Sequence, residues 1–473
     1  MWLWVPLRGL CVMVFPVVAA SLTVDPVIAM FPNRFRAAAI ATALILISGC
    51  AGARTSAPAT AVAPRLAPAT WDRTSSPDSI AAWALRGCRG AGAAKQACFE
   101  EALISTIRPA GVDRAMAALE RVVAQDADVA RDTHVYAHGI GIAAYVDAAT
   151  VSQTFMKCTP AFQSGCYHGV IQAYFADAGA GGVTPERLNA LCADHRSPQG
   201  RWLQFQCAHG AGHGLMAIHG HHLIRALEAC DVLKDMPERS ACWGGAFMEN
   251  VVNATRPHHT STTQIAGGGH AGHGQPASGG HAGHGQAAAG HDHGAMQHEP
   301  FKALDPEEPL YPCTIVAEQH RGSCYLMQTS AILAANRADF AEAGRQCERA
   351  PEQHRRACFV SLGRDAAAYS RGDDARAIEL CGRAPEARVP WCVIGTVKNR
   401  IDVTADPKDG LAFCRIVPGE AAKRTCYRAI GEQTTALFAA HPERERACAA
   451  AEPAFVEECR SGAQLARRET TGR

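Results

Sequence analysis

Histidine is the residue type in this chain whose spacing could do chemistry. Three related stretches carry it: YAHGIG from Tyr136, CYHGV from Cys166 and CAHGAGHGLM from Cys207, so that His138, His168 and His209 are each followed by glycine. His134 precedes His138 by four residues and His209 precedes His213 by four. On a helix such pairs share one face. Two imidazole nitrogens on one face can hold an ion at about 2.0–2.1 Å for zinc, and copper, nickel and iron accept the same donors. The best single ligand set is His209 and His213 with His168, leaving His134 and His138 as further ligands or a second site. Packed helices lie about 8–10 Å apart, so one ion is expected to draw on neighbouring segments and less readily on all three, a limit that the glycine after each histidine relaxes by allowing tighter approach. Glu249, in CWGGAFMEN, is the candidate carboxylate ligand or general base. In the competing reading, His-Gly is a packing device whose rings bond to helix ends.

A second concentration of histidine lies between Pro257 and Glu299. Nine of the chain's 21 histidines fall there, with GGHAGHGQ occurring twice, from 268 and again around 280, and then HDHGAMQH at 291–298. The composition offers nothing to pack and reads as a disordered, metal-attracting tract. HDHGAMQH resembles the His/Met-rich segments of bacterial extracytoplasmic copper-handling proteins. His219, His221 and His222 form a further cluster at the end of a helix or in the turn after it, whereas His320, His354 and His441 read as surface residues. No CxxCH, HExxH, GxSxG or phosphate-binding loop is present, so a divalent or copper ion is the expected cofactor, with no haem and no nucleotide. A net charge of +1 argues against a nucleic-acid partner.

What positions these residues is a repeat marked by cysteine. Cys347 pairs with Cys358, Cys381 with Cys392, Cys414 with Cys426 and Cys448 with Cys459, each pair 11 or 12 residues apart and recurring every 33 or 34. Upstream the same pattern matches Cys313 with Cys324, Cys230 with Cys242, Cys192 with Cys207, Cys158 with Cys166 and Cys88 with Cys98. Two steps between pairs are long. The 70-residue step from Cys88 to Cys158 holds a unit around Tyr136 that lacks cysteines, and the 83-residue step from Cys230 to Cys313 holds the histidine-rich insert.

A period near 34 fits a helix-turn-helix unit that buries its apolar face only by stacking on neighbours. In FAEAGRQCERAPEQHRRACFVSLGRDAAAY, from Phe340, the first cysteine ends one helix, Pro351 interrupts, and the second cysteine opens the next helix. Disulfides are expected within each pair, because an antiparallel helix pair can bring two Cα atoms to about 5.5 Å. Small residues three or five positions past the second cysteine (Gly139, Gly169, Gly210, Gly245, Gly363, Gly395, Gly431) let neighbouring helices approach. The fold class is therefore all-α, a right-handed α/α solenoid of about ten units, each stapled by a disulfide. CFVSLGRDAAAY after a helix ending in cysteine resembles the cysteine-rich Sel1/TPR-type repeats of secreted bacterial proteins, which are disulfide-bridged solenoids. The resemblance implies architecture only; the gap between cysteines is longer here and no site residue transfers.

Paired cysteines on this scale imply an oxidising compartment. From Met30, MFPNRFR precedes the apolar AAAIATALILIS, as in a secretory signal. Ile47-Ser48-Gly49-Cys50 resembles the bacterial lipobox, which implies cleavage before Cys50 and lipid on its sulfur. The expected organisation is a signal region at 1–49 with translation starting at Met30, an Ala/Pro-rich tether at 50–80, His-Gly repeats at 81–256, the insert at 257–299 and cysteine-paired repeats at 300–471. Cys11 then falls outside the mature chain. The functional expectation is a cell-envelope lipoprotein, held to the membrane through Cys50, that binds or handles copper or zinc. Its alternatives are a metal-dependent enzyme using the same histidines, and an interaction scaffold with a protein partner on the solenoid surface.

Overall fold

The computed structural model describes residues 66–197, 200–255 and 301–465. The signal region, Cys11, the Cys50 motif and the insert at 257–299 lie outside the described residues. Those described form 21 α-helices and no strand. None of these helices is long and apolar enough to cross a membrane.

Local chemistry sets the helix starts. Ser76 caps Pro77–Cys88 by accepting from Asp78 N, with proline in the first turn where no amide is needed. In the later repeats aspartate recurs at this position: Asp339, Asp373 and Asp406 accept from the amides of Glu342, Arg376 and Lys408 at the starts of Phe340–Glu348, Asp374–Cys381 and Pro407–Ile416. Each of these helices is followed by a second one, Glu352–Tyr369, Val389–Thr404 and Glu420–Leu437.

A disulfide links the two parts of each unit. Cys88 bonds with Cys98, Cys158 with Cys166, Cys192 with Cys207, Cys230 with Cys242 and Cys313 with Cys324. Cys347 bonds with Cys358, Cys381 with Cys392, Cys414 with Cys426 and Cys448 with Cys459. Cα–Cα distances run from 5.4 Å at Cys88 and Cys98 to 5.7 Å at Cys414 and Cys426. The expected placement, first cysteine at a helix end and second at a helix start, needs adjusting at both positions. Cys158, Cys192 and Cys313 sit in turns or loops just outside helices. Cys98, Cys358, Cys426 and Cys459 lie one to two turns inside Lys95–Ala110, Glu352–Tyr369, Glu420–Leu437 and Val456–Gly462, and Cys324 lies near the end of the short helix Glu318–Tyr325. The second helix has to begin before its cysteine, because that residue must come level with the end of the first helix rather than with the loop between them.

The second helices pack on one another in chain order, and glycine decides how closely. A Cβ on Gly363 would overlap the carbonyl oxygen of Cys392, and one on Gly395 would overlap that of Val360, so each helix presses its glycine against the other's backbone. The same reciprocal arrangement joins Gly141 with Gly169, Gly212 with Gly245, and Gly431 with Gly462. One partner lies five residues past its second cysteine, or past Tyr136 in the unit without one, and the other lies three past. That alternation explains the two offsets in the sequence. Buried side chains form a core cluster running from Ile80 to Cys392 and a second from Ala377 to Ala463.

The chain also meets itself. The amide of Phe162, just before Gly165–Gly182, donates to Val403 O at 3.0 Å, so the histidine-bearing half touches the cysteine-paired half.

Two further expectations change. Residues from Leu66 pack against the first helix rather than running as a tether to residue 80: Leu66 sits over Gly87, Trp71 meets Trp83 edge-on at 5.4 Å, and Trp83 Nε1 donates to Ala67 O. His320 and His354 are buried, not surface residues. Each lies four residues before a second cysteine and reaches a carboxylate of the preceding unit, Asp231 and Glu318, at 3.0 Å. A buried imidazole needs such a partner. His441 is exposed.

Candidate metal centre

His134 and His138 stand on Thr133–Ala144, His168 on Gly165–Gly182, His209 and His213 on Arg201–Ile218, and Glu249 on Met236–Thr255. These four helices pack consecutively. The glycine contacts that hold them involve the histidines directly: Gly169 lies against the carbonyl of His138, and Gly245 against that of His209. His-Gly is thus a packing device as well as a source of donors, because the glycine lets the backbones close and the ring beside it turns into the seam.

All five rings gather. His213 is central, with ring centroids at 5.2 Å to His138, 5.2 Å to His209, 5.4 Å to His168 and 6.4 Å to His134. His134 to His168 is 5.4 Å and His168 to His209 is 4.6 Å. His134, His168 and His213 each offer a donor atom, and those three atoms lie within 4.8 Å of one another.

The tightest donor group thus takes one histidine from each of three successive helices, which bears on two expectations. The closest group of possible donors has His134 where the sequence favoured His209, its donor atom lying within 4.8 Å of those of His168 and His213. The reach across three segments, expected to be the harder one, is made with the help of the glycines. Backbone contact through glycine shortens the helix spacing, and the rings converge on one side of the stack.

Partners on the outer side of each ring orient the three donors. His134 Nδ1 donates to Phe162 O at 3.2 Å, His168 Nε2 to Gln206 Oε1 at 2.8 Å, and His213 Nδ1 to Glu249 Oε2 at 2.8 Å. A ring nitrogen that donates leaves the other with its lone pair, so the lone pairs fall on His134 Nε2, His168 Nδ1 and His213 Nε2. His168 Nδ1 and His213 Nε2 are buried and have no hydrogen-bond partner among the described residues. Unsatisfied buried nitrogens normally cost about 1–3 kcal/mol each, so two of them in one donor group call for a ligand.

Electrostatics agree with that role. Burial first, and then the neighbouring imidazoles His209, His213 and His134, hold His168 well below its ordinary pKa. Burial, His213 and His134 do the same to His209. Both rings are therefore neutral at pH 7, the form a metal binds. A tetrahedral ion with bonds of about 2.0–2.1 Å needs nitrogens about 3.3 Å apart, which the three rings reach by drawing in no more than about 1 Å through side-chain rotation.

Glu249 is buried and spans two histidines, with Oε1 4.0 Å from His221 Nδ1. It orients His213 through Nδ1 and stands outside the donor group. Such carboxylate-to-imidazole bonds raise ligand basicity and fix ring orientation. Gln206 and the Phe162 carbonyl play the matching part for the other two rings, and nothing in the sequence distinguishes them. Beside His134 opens a cavity of about 180 Å³, whose other walls include Met248, Met327, Arg364 and Asp365.

Comparison with known protein families, curated proteins and solved structures finds no match to this chain. The nine disulfides among the described residues point to an oxidising, extracytoplasmic environment.

Proposed function

We propose that this chain is an extracytoplasmic metal-binding protein of the bacterial cell envelope, in which His134, His168 and His213 hold a copper or zinc ion, with His138 and His209 alongside. The observation that carries this reading is the convergence of three oriented imidazole donors within 4.8 Å from three consecutive helices. A packing role alone gives no reason for donor atoms of three rings to lie this close together, with His168 Nδ1 and His213 Nε2 buried and lacking a hydrogen-bond partner among the described residues. The wider architecture belongs to the same proposal: a right-handed α/α solenoid of about ten units related to the Sel1/TPR-type repeats, anchored through lipid on Cys50, with the histidine-rich insert as a second metal-attracting tract and the remaining surface open to a protein partner.

The hydrogen bond from His213 to Glu249 favours binding over catalysis with Glu249 as acid or base, because it commits that carboxylate to orienting a ligand. Full-length protein, purified without a histidine tag from metal-replete cells, is expected to contain copper or zinc. Because the insert can bind metal too, the comparison that matters replaces its nine histidines with serine and leaves the triad intact. Tight binding that persists in that chain and disappears on adding His134→Ala, His168→Ala and His213→Ala supports the reading; a metal-free chain that ignores both ions contradicts it.

A further inference from the structure

The identity of the ion can be argued from what surrounds the triad, and this step rests on the metal-binding reading above. The three converging donors are imidazoles, which bind a metal through a neutral nitrogen, and Glu249 approaches through a ring rather than as a ligand. With the Glu249 carboxylate held one ring away, part of an ion's charge stays uncompensated in a buried place. That penalty grows with the square of the charge, so a monovalent ion incurs about a quarter of the penalty of a divalent one.

The access route carries the second observation. Of the five clustered histidines, His134 lines the adjoining cavity, and two thioethers, Met248 and Met327, share its walls. Met248 lies six residues past Cys242, as His213 lies six past Cys207, so the thioether occupies the imidazole's repeat position one unit further along. Met327 Sδ accepts from Arg364 Nη1, and Arg364 Nη2 bonds Ser330 Oγ at 2.6 Å, which places that sulfur on the polar wall of the cavity rather than in the apolar core. Sulfur donors of this softness select Cu(I) over divalent first-row ions, and imidazole accepts Cu(I) as well.

We propose that the triad is a Cu(I) site, and that Met248 and Met327 form a thioether station through which the ion reaches His134 from the cavity. Loading is a simple ligand exchange, thioether for imidazole, with no change in oxidation state. A chain carrying Met248→Leu and Met327→Leu keeps the apolar volume and removes both sulfurs.

The test uses the full chain with the nine insert histidines replaced by serine, loaded anaerobically from a Cu(I)–bathocuproine complex with ascorbate so that the disulfides stay intact. The chain is expected to bind Cu(I) at least about 100-fold more tightly than Zn(II), and the version with Met248→Leu and Met327→Leu to load about tenfold more slowly while reaching the same copper content. Selenium-edge X-ray absorption of the same chain carrying selenomethionine, with Met296 of the insert also replaced by leucine, checks the route with no substitution at Met248 or Met327; a copper neighbour of selenium at two equivalents of Cu(I) is the expected result. Equal affinity for Zn(II) and Cu(I) overturns the choice of ion. Unchanged loading with no copper beside selenium overturns the route and leaves the methionines as gap-fillers. Binding of neither ion, with the triad intact, overturns the metal-binding reading itself.

Discussion

The helices from Thr133 to Thr255 and those from Glu318 to Gly462 are held together by the same two devices and carry different inner faces. In both regions disulfides fix the units, and reciprocal glycines press neighbouring backbones together, Gly141 with Gly169 in one and Gly363 with Gly395 in the other. The divergence is in the side chains beside those contacts. Two residues past the second cysteine, the first region has His168 and His209, where the second has Val360 and Ile394; six residues past it, His213 and Met248 give way to Ser330 and Arg364. The second region spends its buried polar groups on a closed network in which Thr329 Oγ1 donates to Asp365 Oδ2 at 2.6 Å, Ser330 Oγ to Asp365 Oδ1 at 2.7 Å, and Arg364 Nη2 to Ser330 Oγ. The first brings buried imidazole nitrogens together instead. One scaffold therefore supports two uses, internal cohesion in one half and a convergent set of electron-pair donors in the other.

Changes to the shared devices should weaken both regions, and changes to the inner face only one. Replacing Cys381 and Cys392 with serine, or Cys192 and Cys207, should lower stability by about 2–4 kcal/mol in denaturant titrations. Only the second pair should also reduce metal affinity, because Cys207 lies on the helix that carries His209 and His213. Next in size, Gly363→Ala and Gly169→Ala should each cost about 1–3 kcal/mol by forcing a methyl into a carbonyl oxygen, and again only Gly169→Ala should weaken metal binding. Glu249→Gln keeps the shape and removes the carboxylate behind His213. It should lower metal affinity about tenfold by competition titration, with little change in the unfolding midpoint of the metal-free chain.

The smallest effect separates the regions by pH. His168 and His209 have depressed pKa values in the folded chain, so the unfolded chain binds more protons below its ordinary histidine pKa of about 6.5. Metal-free protein should therefore lose stability as pH falls below that value, with no contribution from these rings above it. Asp402, in the second region, behaves oppositely: burial raises it to about 7, so the folded chain holds its proton longer and stability falls as pH rises from about 4 through 7. Asp402→Asn should gain about 1 kcal/mol at pH 8 and nothing at pH 3, a modest figure because the residue is only half-buried.

The disulfide framework was legible because its partners are close in the chain, with separations of 8 to 15 residues, and the two parts of one unit meet locally. Where each cysteine falls along its helix was less legible: the pattern marks Cys358 and Cys426 but not the turns of helix that precede them. The five histidines were legible because they recur in register. Their grouping was not, since it depends on how far glycine lets three helices close, and sequence spacing reports position along a helix rather than distance between helices. His320 and His354 were misplaced because their partners, Asp231 and Glu318, lie 89 and 36 residues away. Leu66 and Trp71 sit in a composition typical of linkers, yet two large apolar side chains with a core beside them suffice to dock it. Met248, Met327 and Arg364 share a cavity with His134 because the chain meets itself, as at Phe162 and Val403, which no local pattern announces.

The account turns on three imidazoles from three helices meeting at one ion. X-ray absorption at the edge of the bound metal, on the full chain with the insert histidines replaced by serine, reads that directly. Three imidazole nitrogens around the ion, lost when His168 and His213 are changed to alanine, is the predicted spectrum. An ion surrounded by water and carboxylate oxygen, unchanged by those substitutions, would contradict it.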